Sequence, residues 1–313
     1  MKRRTCQFLT HTKLALGIIV CIAIMRYHLP VYGAPGTTRA EFLLIGVGGR
    51  ATGMGEAFTA VADDVETISY NPAGLGSITD TQVTLMYNKW MYDISYQHVG
   101  CAHHIKSVGT FGTEIRYMST ELIGRESQIS DTFTFKAYNS AATIAYGINI
   151  NSRLSLGMGI KSIREVIHTK KSNGFAGDIG ALYDFPLDGR ELVLGAAVQN
   201  IGPHMEAFNQ DTEPLPRIIK LGSSYRFFND QLLAAIDLNL LKDSDPTVNV
   251  GGEYVYRDLV AARLGYKSDK DLVAQARFNF GLGLILKQYH FDYTFVPFDE
   301  LGKTHRFSLL LKF

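Results

Sequence analysis

A glycine-rich run near the N-terminus is the first stretch whose residue types and spacing could support chemistry. In residues 41–58, EFLLIGVGGRATGMGEAF, an apolar stretch leads into Gly46, Gly48 and Ala51. This spacing matches the G-x-G-x-x-G/A fingerprint of a dinucleotide-binding turn, and Glu66 follows about twenty residues later, where such a fold places its ribose-binding acid. The fingerprint has this meaning only within repeated βαβ units, and no such repeat follows it. The sequence therefore does not predict a nucleotide-binding domain.

Two other groups of side chains are candidates for a metal or catalytic centre. Cys101 and His103 share one face of a strand-like segment and His104 lies on the other, but two ligands on one face are fewer than a closed metal site requires. We interpret this segment as a lumenal or rim strand. His290 and Asp292 also share a face, yet no serine or cysteine lies at a spacing typical of a nucleophile. We therefore predict no catalytic residue, no metal, no cofactor, and a protein that is not an enzyme.

The composition limits the partners that the chain could bind. Its 31 lysines and arginines nearly balance its 30 aspartates and glutamates, so the net charge is +1 and no nucleic-acid surface is expected. Hydrophobic residues make up 46% of the chain and occur together with 30 glycines. This combination of apolar residues and glycines is a feature that the fold has to explain.

Residues 1–33 have the layout of a secretory signal peptide. Basic residues precede an apolar run at 14–25, and the small residues Gly33 and Ala34 follow it. A membrane anchor is the alternative, but this run is well short of the roughly twenty residues that cross a bilayer as a helix. A lipoprotein anchor at Cys21 lacks the expected small residue before it. We expect cleavage near Ala34 and an exported mature chain.

From Gln82 to the C-terminus the dominant pattern has a period of two. Apolar residues alternate with polar or very small ones, as Leu154, Leu156, Met158 and Ile160 do with Ser155, Gly157, Gly159 and Lys161. Soluble β-sandwiches also alternate, but these segments have about ten residues, the length of a tilted membrane strand. We predict about fourteen strands, near 82–90, 93–103, 106–119, 138–149, 153–165, 175–185, 191–200, 216–227, 231–241, 247–257, 259–267, 276–286, 288–297 and 305–313.

The joins between these segments alternate in length. Those near Asn149 and Asp258 are tight, whereas residues 120–137 and 201–215 form long connections. Outer-membrane barrels have short periplasmic turns and long external loops, so the long connections are expected outside. The last strand ends in Phe313, which is similar to the signal that the outer-membrane assembly machinery recognises. The predicted fold is all-β, an antiparallel transmembrane β-barrel of about 14 strands in the outer membrane of a diderm bacterium.

The segment before the first strand carries a more specific signal. The run GVGGRATGMGEAFTAVADDVETISYNPAGLGS resembles the N-terminal segment of the long-chain fatty acid transporter (FadL-like) superfamily, including its PorV-like branch and uncharacterised relatives. The matching positions are Gly48 or Gly49 with Arg50, then Gly53, Met54, Gly55, Ala57, Phe58, Ala62, Asp63, Asp64 and Asn71 to Leu75. The resemblance implies a fourteen-stranded barrel plugged by an N-terminal hatch, here residues 34–81, with the barrel formed by residues 82–313.

A hatch inside a barrel needs residue types that this segment contains. Glycines allow left-handed turns and close approach of the backbone to the wall. A proline after an asparagine fixes a turn that the asparagine side chain can cap. The candidate ligand or hatch residues are Gly53, Gly55, Phe58, Asn71, Pro72 and Ala73. The alternative is that these residues only fold the plug and touch no ligand.

Three classes of function fit this sequence. The first is passive uptake of an apolar molecule, most simply a long-chain fatty acid, through a hatch-gated barrel that acts as a monomer among outer-membrane lipids. The second is a PorV-like interaction protein of a secretion or surface-assembly system. The third is a porin for small solutes, which a plug disfavours because fourteen strands enclose a conducting space only when that space is empty.

Overall fold

A computed structural model of the chain describes residues 38–90, 94–125, 132–187, 190–206, 208, 211–242, 244–268, 278–298 and 302–313. The predicted signal peptide and the first residues of the predicted hatch lie outside these ranges. No helix within them is both long and apolar enough to cross a bilayer.

Strands make up most of the described chain, as its period-two pattern predicts. They are β1 (Thr81–Lys89), β2 (Ser95–Ile105), β3 (Gly109–Arg125), β4 (Thr132–Asn149), β5 (Leu154–Ile167), β6 (Lys170–Leu187), β7 (Arg190–Ile201), β8 (Met205–Glu206), β9 (Thr212–Glu213), β10 (Ile218–Phe227), β11 (Leu232–Leu241), β12 (Thr247–Tyr256), β13 (Val260–Lys267), β14 (Phe278–Leu286), β15 (Tyr289–Phe298) and β16 (Gly302–Lys312).

Fourteen of these strands form a closed antiparallel barrel. Each strand pairs with its neighbours along the chain, except that β7 pairs with β10 across the separate β8–β9 ladder. The ring closes between the first and last strands, where Tyr87 of β1 lies opposite Phe307 of β16. The predicted all-β barrel and its strand number are confirmed.

The outer face of the barrel is apolar and its inner face is polar or glycine-rich. On β1, Leu85 and Tyr87 are 43% and 47% exposed, whereas Thr84 and Asn88 are fully buried. Successive side chains of a strand point to opposite faces, so one sequence supplies both surfaces. Such an outer band is typical of barrels in contact with lipid.

The two ends of the barrel differ in their connections. The joins at Asn149 and Asp258 lie at one end, together with the start of β1 and the C-terminus, where the Phe313 N–H donates to Thr81 O (2.9 Å). We call this the short-turn end. The opposite, long-loop end carries the connection between β7 and β10, residues 202–217, of which 202–206, 208 and 211–217 are described.

The predicted long connection at residues 120–137 is wrong in extent. β3 and β4 stay paired from Thr110 with Gly147 to Arg125 with Thr132, so residues 120–125 and 132–137 of the predicted connection belong to the strands. The described side chains of residues 120–123 and 134–137 are exposed or half-buried on both faces, so burial does not separate the two faces of this hairpin as it does along the other strands.

Residues 38–80, which we call the plug, lie within the ring of strands. They form short 3-10 helices at Glu41–Leu44 and Pro72–Ser77 and short α-helices at Gly49–Gly53 and Thr67–Tyr70. Hydrogen bonds tie the plug to the wall on several sides, joining Gly49 to Ser308 (2.9 Å), Phe58 to Asp237 (3.0 Å), Val65 to Gln82 (3.0 Å) and Asn71 to Ala181 (3.1 Å). Most of its side chains are buried between the strands.

Candidate functional site

Glycines on the plug and on the wall let the two backbones touch. Gly55 has φ +64°, and a Cβ there would lie 2.8 Å from the backbone nitrogen of Tyr266. A Cβ on Gly53 would lie 3.1 Å from the Cα of Gly281. Both predicted hatch residues are therefore positions of close approach, where a side chain would push the plug off β13 and β14.

Arg50 is the centre of a buried ion-pair network between plug and wall. Its guanidinium binds both carboxylate oxygens of Glu253 on β12 at 2.9 Å and one oxygen of Asp64 at 2.9 Å, and it also pairs with Asp63. Arg263 of β13 contacts Glu253 from the other side (2.6 Å). Two-oxygen binding of a carboxylate by arginine is strong and directional, so this network holds the plug in one position. We call Arg50, Asp63, Asp64 and Glu253 the latch.

The sequence-based candidates did not include Arg50. Its signal is a single basic residue in a run of small and apolar residues, followed by the paired acids Asp63 and Asp64. These acids lie 13 and 14 positions away, but Glu253 lies 203 positions away, and no local pattern relates it to Arg50.

Glu66 lies beside the latch, with Arg50 and Arg263 near it but no ion pair to either among the described residues. Its side chain is buried, and its Oε2 has no hydrogen-bond partner among the described residues. Burial raises the pKa of Glu66 well above its ordinary value, and the carboxylates of Asp64 and Asp292 raise it further. The docked plug therefore favours the protonated form of Glu66.

Phe58 anchors the plug through its backbone as well as its ring. Asp237 of β11 accepts hydrogen bonds from the N–H groups of Phe58 (3.0 Å) and Thr59 (2.9 Å) and from the Thr59 hydroxyl (2.6 Å). The Phe58 ring packs against Tyr70, with 5.3 Å between ring centroids, and the Arg50 guanidinium lies 5.4 Å from its centre. Three donors from one turn converge on Oδ2 of this carboxylate on the wall, so this turn is a second attachment point.

Asn71 joins two parts of the plug to β6. Its side-chain oxygen accepts from the Ala73 N–H (3.2 Å), and its amide donates to the carbonyl oxygens of Thr59 (2.8 Å) and Ala181 (3.1 Å). Pro72 occupies the first turn of the following 3-10 helix, where its missing N–H is not needed. All these contacts are within the protein, so the structure places Asn71, Pro72 and Ala73 at a turn that fastens the plug.

The start of the plug lies beneath the 202–217 connection at the long-loop end. Arg39 pairs with Glu165 of β5 (2.5 Å), and its N–H donates to the Pro214 carbonyl (2.9 Å). Phe42 and Leu43 pack in one buried apolar cluster with residues that include Met205 and Leu215. These contacts join the start of the plug to the connection between β7 and β10.

The residues weighed from sequence for a metal or catalytic centre do not form one site. Cys101 and His103 are on the outer face of β2, and His103 Nδ1 is 2.8 Å from the Thr81 hydroxyl near the short-turn end. Asp292 faces inward and binds Arg263 (2.6 Å) beside the latch. No group of three or more histidine, cysteine, aspartate or glutamate side chains in the described chain could hold a metal ion.

The fold is similar to that of solved toluene transporters. The toluene transporter TbuX of Ralstonia pickettii matches with a TM-score of 0.54 and 13% identity, over 87% of this chain and 98% of that chain. The toluene transporter TodX of Pseudomonas putida matches with a TM-score of 0.53 and 12% identity, over 86% and 99%. At this identity the similarity shows the fold alone.

Comparison of sequences gives the family. A UPF0164 protein of Treponema pallidum (strain Nichols) is 25% identical over 237 residues, which are 69% of this chain and 55% of that protein. The chain thus spans about half the length of this curated relative. The model of the uncharacterised protein family UPF0164 matches residues 32–229, more than half of the chain, and this protein therefore belongs to the UPF0164 family.

Proposed function

We propose that this protein is an outer-membrane transport protein that takes up hydrophobic molecules through its barrel, with the plug as a movable hatch. The observation that carries the proposal is the filled interior: the plug is attached to the wall at the latch, at Asp237 and at Asn71. Polar attachments such as these can exchange with water when the plug shifts, whereas a fully apolar interface would resist hydration. The fold of the toluene transporters supports the same class of function.

Long-chain fatty acids are the substrates we propose within that class. Their support is the resemblance of residues 45–80 to the fatty-acid transporters. Such a molecule gains about 0.8 kcal/mol for each CH₂ kept out of water, so an exit sideways into the bilayer is favoured over release into the periplasm.

The β6–β7 pair is a suitable place for this sideways exit. Its register shifts between Gly177 and Ile179, and the Asn200 N–H donates to the Asp178 side chain (2.8 Å) instead of to a strand carbonyl. A bulge of this kind interrupts the ladder and bends the wall locally. The backbone bonds that hold the two strands together are therefore fewer here than in a regular pair.

A combined conductance and uptake experiment tests the hatch. In planar bilayers the intact protein should show little steady conductance, whereas a variant lacking residues 36–78 should form a stable open pore, because the barrel interior would then be empty. Cells that carry the intact protein should take up labelled fatty acid faster than cells with the empty vector. A large steady conductance of the intact protein would exclude a sealing plug.

The turn at Asn71 provides a milder test of the same proposal. Asn71→Ala combined with Pro72→Ala removes the bonds to Thr59 and Ala181, and fatty-acid uptake should fall while the barrel still forms. Uptake equal to that of the intact protein would leave these two residues with a scaffold role only.

An interaction protein of the PorV-like kind is the second candidate. The specific observation is that β3, β4 and β6 have 17, 18 and 18 residues, whereas β13 has 8. The longer strands form a projecting wall at the long-loop end, and Ile123 on it is 76% exposed. Recovery of a stable stoichiometric protein partner, together with the absence of fatty-acid uptake, would favour this function.

A further inference from the structure

The inner face of the barrel carries a second polar group of residues where β1 and β16 close the ring. Asn88 of β1 lies opposite Arg306 of β16 in the register. Thr304 lies two residues before Arg306 on the same inner face of β16. Lys89 pairs with His305, so the next residue, Trp90, lies beside Thr304. The four side chains Asn88, Trp90, Thr304 and Arg306 therefore belong to one patch of wall, which we call the seam site.

The seam site contains several polar atoms without partners. Asn88 and Thr304 are fully buried and Arg306 is 3% exposed. Within the described chain, no hydrogen-bond partner is present for Asn88 Oδ1 and Nδ2, Trp90 Nε1, Thr304 Oγ1 or Arg306 Nε. Buried polar atoms of native proteins are nearly always paired, so five unpaired atoms on neighbouring residues indicate a missing partner.

The chemistry of these atoms selects an acceptor. Asn88 Nδ2, Trp90 Nε1 and Arg306 Nε are donors, and the Thr304 hydroxyl can donate as well. Arg306 donates from Nη1 to the Gly46 carbonyl (2.8 Å) and makes no ion pair among the described residues. The nearby Glu56 carboxylate, whose pKa Arg306 helps to lower, pairs instead with Lys267 (3.1 Å). A cation with an unpaired Nε beside neutral donors suits an oxyanion, and a carboxylate most of all, because arginine binds carboxylates with two parallel hydrogen bonds.

An apolar surface adjoins these donors. The Trp90 ring stacks on Phe298 of β15, with 6.3 Å between centroids. Trp90 also packs against the buried apolar cluster that contains Met86 and Tyr96. A molecule bound with its oxygen atoms at the donors would therefore lie with its apolar part along this cluster.

We propose that the seam site binds the carboxylate head of an amphipathic ligand whose apolar tail lies against the Trp90 cluster. This assignment rests on the proposed function, since it identifies the part of the transported molecule that the barrel recognises. It also narrows the substrate class: a hydrocarbon without a head group leaves the five polar atoms unpaired, so the site discriminates against it.

Trp90 gives a direct measurement because it is the only tryptophan of the chain. Purified protein in detergent is titrated with three brominated C16 probes, and quenching of Trp90 fluorescence is recorded. Carboxylate bound at the seam site places the bromine of 2-bromohexadecanoate next to Trp90, so this probe should quench more strongly than 16-bromohexadecanoate. The headless 1-bromohexadecane should bind about tenfold more weakly or worse, because it cannot accept the donated hydrogen bonds.

A matched pair of substitutions separates the site from general effects on the wall. Thr304→Val and Thr84→Val each replace a fully buried hydroxyl that has no partner, but Thr84 lies four residues from Asn88 toward the short-turn end. Thr304→Val and Arg306→Met should each weaken 2-bromohexadecanoate binding about tenfold, whereas Thr84→Val should leave it unchanged. Heat-dependent migration in SDS gels confirms that each barrel is folded.

The outcomes distinguish this site from the transport proposal. Stronger quenching by 16-bromohexadecanoate, or equal binding by the Thr304→Val and Thr84→Val variants, would overturn the seam site. Uptake by cells is measured separately with labelled palmitate. Stronger quenching by 2-bromohexadecanoate than by 16-bromohexadecanoate, with no uptake by cells, would support the seam site and refute transport. Uptake by cells without this difference in quenching would support transport and refute the seam site.

Discussion

Removal of the Arg50 guanidinium should unlatch the plug. In Arg50→Gln, the buried carboxylates of Asp64 and Glu253 lose hydrogen bonds of 2.9 Å to the guanidinium. Breaking one partner of a buried ion pair costs about 3–5 kcal/mol. In this variant Glu253 still pairs with Arg263, and Asp63 still pairs with Arg226. We therefore expect the docked plug to lose about 3 kcal/mol of stability, the lower end of this range.

This loss can be expressed as a population of open plugs. Each 1.4 kcal/mol changes an equilibrium about tenfold, so about 3 kcal/mol raises the open fraction about 100-fold. The assay is single-channel recording in planar bilayers, where the fraction of time in a conducting state reports the open fraction. Openings that are rare in the intact protein should become frequent in Arg50→Gln.

Arg226→Gln is the matched control. Its side chain is 40% exposed and makes one ion pair in the described chain, with Asp63 (2.6 Å). An exposed pair contributes at most about 1 kcal/mol, so the open fraction should change no more than about fivefold. Adding Asp64→Asn to Arg50→Gln should recover part of the closed state, because it removes a buried carboxylate that has lost its cation. Equal open times for Arg50→Gln and Arg226→Gln would show that the latch does not hold the plug.

Three further predictions follow from the plug and the barrel ends. The pKa of Glu66 is raised in the docked plug, so docking is favoured most below the ordinary pKa of a glutamate and weakens as pH rises through the raised pKa. Conductance should therefore increase with pH, and Glu66→Gln should flatten that dependence. Gly55→Ala forces a side chain into a left-handed conformation (φ +64°) and should destabilise the docked plug by about 1–2 kcal/mol, measured as open time, whereas Gly252→Ala, whose Cβ would have no contact closer than 3.9 Å, should not. In a Cys101→Ser background, an impermeant reagent should label a cysteine at His204 in intact cells and should not label one at Asp258; the reverse pattern would invert the orientation.

The sequence determined the barrel because membrane strands are specified locally. Lipid and the barrel interior are different solvents, and each strand must present residues suited to both at alternate positions. The alternation of Leu156, Met158 and Ile160 with small or polar residues therefore predicts a strand without knowledge of its partners. The same logic failed at residues 120–137, since the β3–β4 hairpin continues there with exposed or half-buried side chains on both faces.

Only the tertiary structure decided which polar residues meet inside the barrel. Arg50 finds Glu253 across 203 positions, and Asn88 faces Arg306 because the first strand happens to pair with the last. No local sequence pattern predicts either contact, because a contact between distant strands depends on how the whole ring closes and in which register its strands pair. The sequence could indicate that Gly53, Gly55 and Asn71 allow tight turns, but the wall that those turns approach is assembled from strands far along the chain.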